Sequence, residues 1–410
     1  MPKIDPHRLI SNLRHLASFG AYKSGVHRPT FSSQDMTSRR WLADQYSAAG
    51  LEASIDGVGN VFGRASGRGP RLLVGSHSES QNQAGWLDGA LGVIFGLELA
   101  RSFKESPSCA GLHIEPVAWS DEESHFITFL GSRSFIGDLG EAELMAATDR
   151  TTGQSLPDAL AAAGLANVPR HLGDAHRYVG YLEAHIEQGD FLEAEGLGIG
   201  VVSSIVGIQQ YRITFTGVQN HAGTTRMAIR RDAGVALVDL CKSIDAVFDT
   251  MKSERTVWTV GRITLHPGAP AIIPGKAEML FQFRDEDTDV ISRLDFALRK
   301  LVADAGSAGR CTAEIELLSS SAPSRMDFTF QAAFSEVANR LAPGRHVSMP
   351  SGAGHDAQII ARVMPAGMLF VPSIGGISHH WTEDTSEHDI VLGCQVFADA
   401  AEMILRSARG

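Results

Sequence analysis

The stretch from Leu72 to Leu99 is the strongest constraint on how this chain can fold. Arg71-Leu72-Leu73-Val74 reads as a buried strand that ends at Gly75-Ser76-His77. Asp88-Gly89 then opens a run, through Leu91, Val93, Ile94, Leu97 and Leu99, whose apolar spacing is helical. Strand, loop and helix in that order predict one step of an α/β sheet, where ligands bind beyond the carboxyl ends of the strands. His77 at the strand end and Asp88 at the helix start both face that crevice, which makes them candidate metal ligands. On this stretch alone they could equally be a satisfied loop His and a helix-capping Asp.

A chain of 410 residues has room for two or three domains. Its formal net charge of −11 argues against a nucleic-acid or anionic-membrane partner, since no basic patch is available to neutralise phosphates. Cys109, Cys241, Cys311 and Cys394 form no CxxC pair, which fits a reducing cytoplasm and rules out a cysteine zinc site. The first residues, MPKIDPHRLISNLRHLASFG, are amphipathic and lack the apolar core of a signal peptide. No apolar run approaches the length of a membrane span. A cytoplasmic globular protein is expected.

Along the chain, Asp5–Leu16 and Ser33–Ala49 carry helical apolar spacing, and Leu51–Gly63 reads as a hairpin turning at Asp56-Gly57 and Gly59. A second strand, Leu112–Trp119, runs straight into Ser120-Asp121-Glu122-Glu123-Ser124-His125. Tyr181 to Gly189 sets His185 among acidic residues, where a packed core His is as good a reading as a ligand. Gly196-Leu197-Gly198-Ile199-Gly200 looks superficially like a dinucleotide loop but lacks its spacing and context, so a hairpin turn is predicted.

From about Gln209 the order becomes β-α-β-β-α-β, the ferredoxin-like arrangement, as an insert over residues 209–320. Residues 1–208 and 321–410 then form one discontinuous domain. Within the insert, Met279, Phe281 and Phe283 alternate with Glu278, Gln282 and Arg284. That pattern alone favours a solvated surface Arg284. After the insert come the loop Ser351-Gly352-Ala353-Gly354-His355-Asp356, a strand Gly367–Pro372 and the cluster Ser378-His379-His380-Trp381-Thr382-Glu383. For the third time, ionisable residues follow a strand end.

His77, Asp88, Glu123, His185 and His379 together supply three imidazoles and two carboxylates, donors suited to zinc, manganese, cobalt or nickel. An Asp shared between two ions would make a two-metal site, which activates water and polarises a carbonyl. Glu122, beside one carboxylate ligand, is placed to carry the proton to a leaving nitrogen.

These motifs, in order, resemble the M20-type metal-dependent amidases, within them the hydantoinase/carbamoylase group of N-carbamoyl-L-amino-acid hydrolases, β-ureidopropionases and allantoate amidohydrolases. The resemblance rests on GSHSES, QAGWLDGALGV, DEESHF, EAHIEQGDFLE, NHAGTTRMAIRRDA, IIPGKAEMLFQFRD, SGAGHDA and MLFVPSIGGISHHWTEDT. It implies a di-metal aminopeptidase-like α/β catalytic domain, with a mixed sheet flanked by helices, and an inserted ferredoxin-like α+β dimerisation or lid domain. It implies two divalent ions, one on His77, Asp88 and His185, the other on Asp88, Glu123 and His379, with Glu122 as general base. It further implies a homodimer in which His221 reaches a neighbouring active site to stabilise the oxyanion, and a substrate-carboxylate clamp at Arg284. Gln188, Asn220, Gly354 and His355 are expected near the substrate, a small amide or ureido compound. A peptidase or N-acyl amino acid deacylase, and a metal-free binding protein, are the competing expectations.

Four positions depart from the family pattern. Glu79 stands where an Asp usually orients His77, and EESHF is one residue shorter than the family's EEGSRF, with His125 in place of Arg. Ala271 replaces an Asn that helps Arg284, and Ala84-Gly85-Trp86 brings an aromatic towards the pocket.

Overall fold

A computed structural model describes residues 1–409, Ala308 by its backbone only. The chain divides into two compact units, Met1–Ser203 with Arg325–Gly410, and Ser204–Ser324.

The first unit is built on a mixed sheet. Four neighbouring strands, Ala366–Val371, Gly180–Ile186, Arg71–His77 and His113–Trp119, run parallel. Antiparallel strands flank them, Ile199–Ile205 on one side and Val61–Arg64 with Glu52–Ile55 on the other. Nearly every residue of the four parallel strands is buried, because helices cover both faces. Such strands are written as continuous apolar runs rather than alternating ones, as in Leu72-Leu73-Val74. The helix Ala90–Glu105 is likewise apolar almost all round, and Leu91, Phe95 and Leu99 sit in the main core. Polar caps set the outer helices: Asp5 accepts N–H groups at the start of Pro6–Ser18, and Ser386 does so for Glu387–Ser407.

The second unit is a four-stranded antiparallel sheet in the order Val257–His266, Lys276–Asp285, Gly207–Thr216, Thr312–Ser321. With helices Ala233–Met251 and Thr288–Ala308 it has the ferredoxin-like β-α-β-β-α-β order. One sheet face, with Tyr211, Ile213, Phe215, Met279, Phe281 and Phe283, packs on Leu237, Leu240, Phe248, Leu294 and Leu298. Arg284 therefore lies on the opposite face, half-buried.

Two expectations need correction. The glycines at 196–200 form no hairpin. Gly196 turns the short helix Phe191–Ala194 into the strand Ile199–Ile205, whose antiparallel partner is the distant Ala366–Val371. Trp86, expected towards the pocket, turns its ring into the core. Arg14 stacks on that ring, and the indole N–H is donated to Asp384. Among the described residues no helix is long and apolar enough to cross a membrane.

Phe95 is fully buried, with its ring beside that of Phe397. Phe95→Ala removes that volume and is expected to lower stability by about 3–5 kcal/mol in urea unfolding, with the helical content of the folded state retained.

Candidate metal centre

Four parallel strands leave their carboxyl ends along one edge, and each delivers a polar side chain there. His77 is the last residue of its strand and His185 the second last of its own. Glu122 and Glu123 follow the strand that ends at Trp119, and His379 lies in the loop beyond Val371. The loop backbones bend sharply to do this: Asp121, Ser124, Gln188 and His379 all take positive φ without being glycine. Such strain persists only where surrounding contacts over-determine it. At the Glu122–Glu123 turn those contacts come from Asp121, whose carboxylate accepts the N–H groups of His125, Phe126 and Ile127 and the hydroxyl of Thr30. Burial lifts the Asp121 carboxyl to a pKa of about 6 despite those donors.

Asp88 stands at the centre. Its Oδ1 lies 3.1 Å from His185 Nε2 and 3.5 Å from His77 Nε2, and its Oδ2 lies 3.4 Å from His379 Nε2. The reading of Asp88 as a helix cap fails, because the Ala90–Glu105 helix starts from Gly89 with no side-chain cap. Gly89 has φ +65°, and a Cβ there would overlap the His77 ring, so the position accepts only glycine.

Three groups of side chains bring donor atoms within 4.8 Å of one another and could hold a metal ion: His77, Asp88 and His185; His77, Glu122 and Glu123; Asp88, Glu123 and His379. The proton positions suit that role. His77 Nδ1–H points at the Glu79 carbonyl (3.2 Å) and His185 Nδ1–H at the Ile186 carbonyl (2.9 Å). In the neutral ring, the form that binds a metal, each Nε2 would turn its lone pair towards Asp88. The Glu123 carboxylate is held by Gln81 through Oε2, while its buried Oε1 has no hydrogen-bond partner. A buried carboxylate oxygen left open among imidazoles and other carboxylates fits a cation.

The charges push one another. Burial works against an imidazolium at His77, yet the carboxylates of Glu122, Asp88 and Glu79 outweigh it and hold the pKa well above the usual value. Burial, reinforced by Glu123, Asp356 and Asp88 and opposed by His77, drives the Glu122 carboxyl well up. His379, paired with Asp88, rises to about 9.

Gln188 joins the cluster, its amide donating to Asp88 Oδ2 at 3.1 Å. His355 is buried behind it, edge-on to the His185 ring at 4.6 Å and bonded to Ser351 Oγ at 2.9 Å. Its ring is therefore committed to packing and to Ser351. Gly354 lies between the Phe129 ring and Gln358. Asn220, His221 and Arg284 belong to the second unit. There Asn220-His221 pairs with Ile272-Ile273, and the Ala271 carbonyl accepts the Ala222 N–H. His221 Nδ1 accepts N–H groups from Gly223 and Thr224, so in the neutral ring the proton sits on the exposed Nε2.

Several residues outside the ligand set support the cluster. Glu79 does more than face His77: its carboxylate accepts the Glu122 N–H at 2.6 Å and the Arg39 guanidinium at 2.8 Å. Arg39, fully buried, also pairs with Asp35 and donates to the carbonyls of Gly59 and Trp119. Glu183 accepts from Ser76 and from the Ala357 N–H beneath the site. Glu383 accepts the N–H groups of Leu87 and Asp88, and burial beside Asp88 pushes its carboxyl up to about 8. Most of their partners are distant in sequence. His125, the other departure, donates its N–H to Asp121 and directs Nε2 at the Ser80 carbonyl, so it braces the same turn.

Arg39 is the cation between two buried carboxylates. Arg39→Met leaves Asp35 and Glu79 unpaired and is expected to lower the stability of the metal-free protein by about 3–5 kcal/mol at neutral pH, read by urea unfolding.

Residues 75–403 match the family model "Peptidase family M20/M25/M40". The chain is 33% identical over 405 residues to an N-carbamoyl-L-amino-acid amidohydrolase of Paenarthrobacter aurescens, covering 97% of each chain. It is 34% identical over 396 residues to the allantoate amidohydrolase of Escherichia coli (strain K12), covering 93% of this chain and 94% of that one. In three dimensions it matches the crystal structure of an amidase (hydantoinase/carbamoylase family) from Burkholderia phymatum, with a TM-score of 0.92, 49% identity and 99% of both chains covered.

Proposed function

The chain belongs to peptidase family M20/M25/M40 and, within it, to the hydantoinase/carbamoylase amidases, and from that membership we propose its reaction. It is an amidohydrolase that uses two divalent ions to cleave the linear C–N bond of an N-carbamoyl amino acid or a related ureido or amide compound. The observation that carries this reading is Asp88, with one oxygen turned to His77 and His185 and the other to His379. His77, Asp88 and His185 would hold one ion, and Asp88, Glu123 and His379 the other. Zinc, manganese, cobalt and nickel all suit this donor set.

Bound there, two divalent ions supply Lewis acidity, lowering the pKa of a water and polarising the scissile carbonyl. The chain's own residues do the rest. Glu122, 3.7 Å from His77 Nε2, takes a proton from the attacking water and passes it to the leaving nitrogen. Burial raises its proton affinity, which suits a group that must hold a proton between the two transfers. His221 offers its Nε2–H to the developing oxyanion from a neighbouring copy in a homodimer, where a preorganised donor is most effective. Arg284 clamps the substrate carboxylate through its planar guanidinium. Ala271 adds no side-chain donor, so this clamp is narrower than one with an Asn at that position. The four cysteines are all free, which fits a reducing cytoplasm.

The test is ammonia and amine release by manganese- or zinc-loaded protein from N-carbamoyl-L-amino acids, N-carbamoyl-β-alanine, allantoate, N-acyl amino acids and dipeptides. Turnover of a carbamoyl or ureido compound is expected. Glu122→Gln should cut kcat by about 10²–10⁴-fold with both ions retained. Turnover confined to dipeptides or acyl amino acids would overturn the substrate reading. Arg284→Ala should raise KM for carboxylate substrates by at least about tenfold, consistent with loss of a charge-assisted contact, and should leave carboxylate-free amides unaffected.

A further inference from the structure

The bridging residue Asp88 and the ligand His379 arrive on loops that no strand pairing brings into register. Asp88 precedes the Ala90–Glu105 helix, after the strand Arg71–His77, and His379 follows the strand Ala366–Val371. Between those two strands lies Gly180–Ile186, so the sheet sets no direct spacing between the two loops. A side chain has to do it. We propose that Glu383 is a positioning residue for the metal centre, its carboxylate tying the Asp88 loop to the His379 loop.

Glu383 is almost fully buried, at 1% exposure. Its Oε1 accepts the N–H of Leu87 at 3.2 Å and that of Asp88 at 3.1 Å, which fixes the backbone from which the bridging carboxylate projects. Its Oε2 accepts the hydroxyl of Ser378, the residue before His379, at 3.2 Å. The same hydroxyl lies 3.3 Å from Asp88 Oδ2, so Ser378 faces both carboxylates and its one proton is shared between them. The approach leaves no slack: a Cβ at Gly85 would overlap the Glu383 carboxylate. The next residue pair ties the loops again, Trp86 Nε1–H to Asp384 Oδ1 at 3.2 Å. Two backbone donors and one hydroxyl converging on a single buried carboxyl group fix its position through directional bonds. Groups that orient metal ligands in this way commonly govern affinity as strongly as some ligands do.

This inference rests on the two-metal reading, and the experiment separates the two. Full-length metal-free protein is titrated with Co(II), with calorimetry giving ion number and affinity and visible absorption reporting the bound ion's surroundings. Glu383→Ala is expected to weaken Co(II) binding by about 10–100-fold and to change the absorption bands. The metal-free variant should stay folded, with the wild-type circular-dichroism spectrum. Glu383→Gln, which can still accept both N–H groups through its amide oxygen, should restore affinity to within a few-fold of wild type. Two ions bound by Glu383→Ala with wild-type affinity and spectrum would overturn the inference and leave the two-metal reading standing. A metal-free Glu383→Ala protein that loses the wild-type circular-dichroism spectrum, with Glu383→Gln no better in Co(II) affinity, would assign the residue to folding and also overturn it. Fewer than two ions in the wild type would remove the two-metal reading, and the inference with it.

Discussion

The site is a concentration of buried negative charge that the surrounding protein only partly neutralises. Asp88, Glu123, Glu79 and Glu383 are all less than a tenth exposed, and Glu122 is only slightly more open. Arg39 answers Glu79, three imidazoles face Asp88, Glu122 and Glu123, and Glu383 is met by backbone N–H groups and Ser378. Packing carboxylates together in a low-dielectric interior is costly unless cations join them. The rest of the first unit follows from holding that arrangement in place: strand ends that converge, loops bent into positive φ, and backbone donors aimed at each acid.

The carboxylates divide the work by what they can reach. Asp88 and Glu123 direct oxygens at the imidazoles, while Asp121, Glu79 and Glu383 accept backbone N–H groups and so fix the turns around them. Glu79 shows why one methylene matters. The Glu79 carbonyl, not its side chain, makes the short contact to His77 Nδ1, while the longer acid spans from the Glu122 backbone to Arg39. Positioning of the proton carrier and of a metal ligand thus converges on one residue, and Arg39 supplies the charge that makes its burial tolerable.

Much of this was legible in the chain. Buried parallel strands are apolar runs, so Leu72–Val74 announced a central strand, and polar residues placed straight after such runs marked His77, Glu122, Glu123 and His379 as a shared edge. The alternation of Met279, Phe281 and Phe283 placed Arg284 on the other face of the second unit's sheet, in agreement with the packing. What misled was local pattern without partners. The glycines at 196–200 looked like a hairpin turn because a turn is all they specify, and the strand that follows pairs with one some 170 positions further on. Trp86 was expected near the pocket because its neighbours bear the site, yet its indole is buried in the core.

Apolar periodicity and ligand chemistry are local properties, so the sequence by itself determined the fold class and the residue types able to bind metal ions, and its ordered motifs carried the resemblance to the family. Only the tertiary structure decided how those residues are held. Asp35, Arg39, Glu183 and Glu383 act on groups scores or hundreds of residues away or through a charge they share, and nothing in their immediate neighbours records it. Burial is the physical reason. A carboxylate that would be an ordinary solvated acid on an open surface becomes, once dry, a group whose every hydrogen-bond partner has to be supplied by another part of the fold.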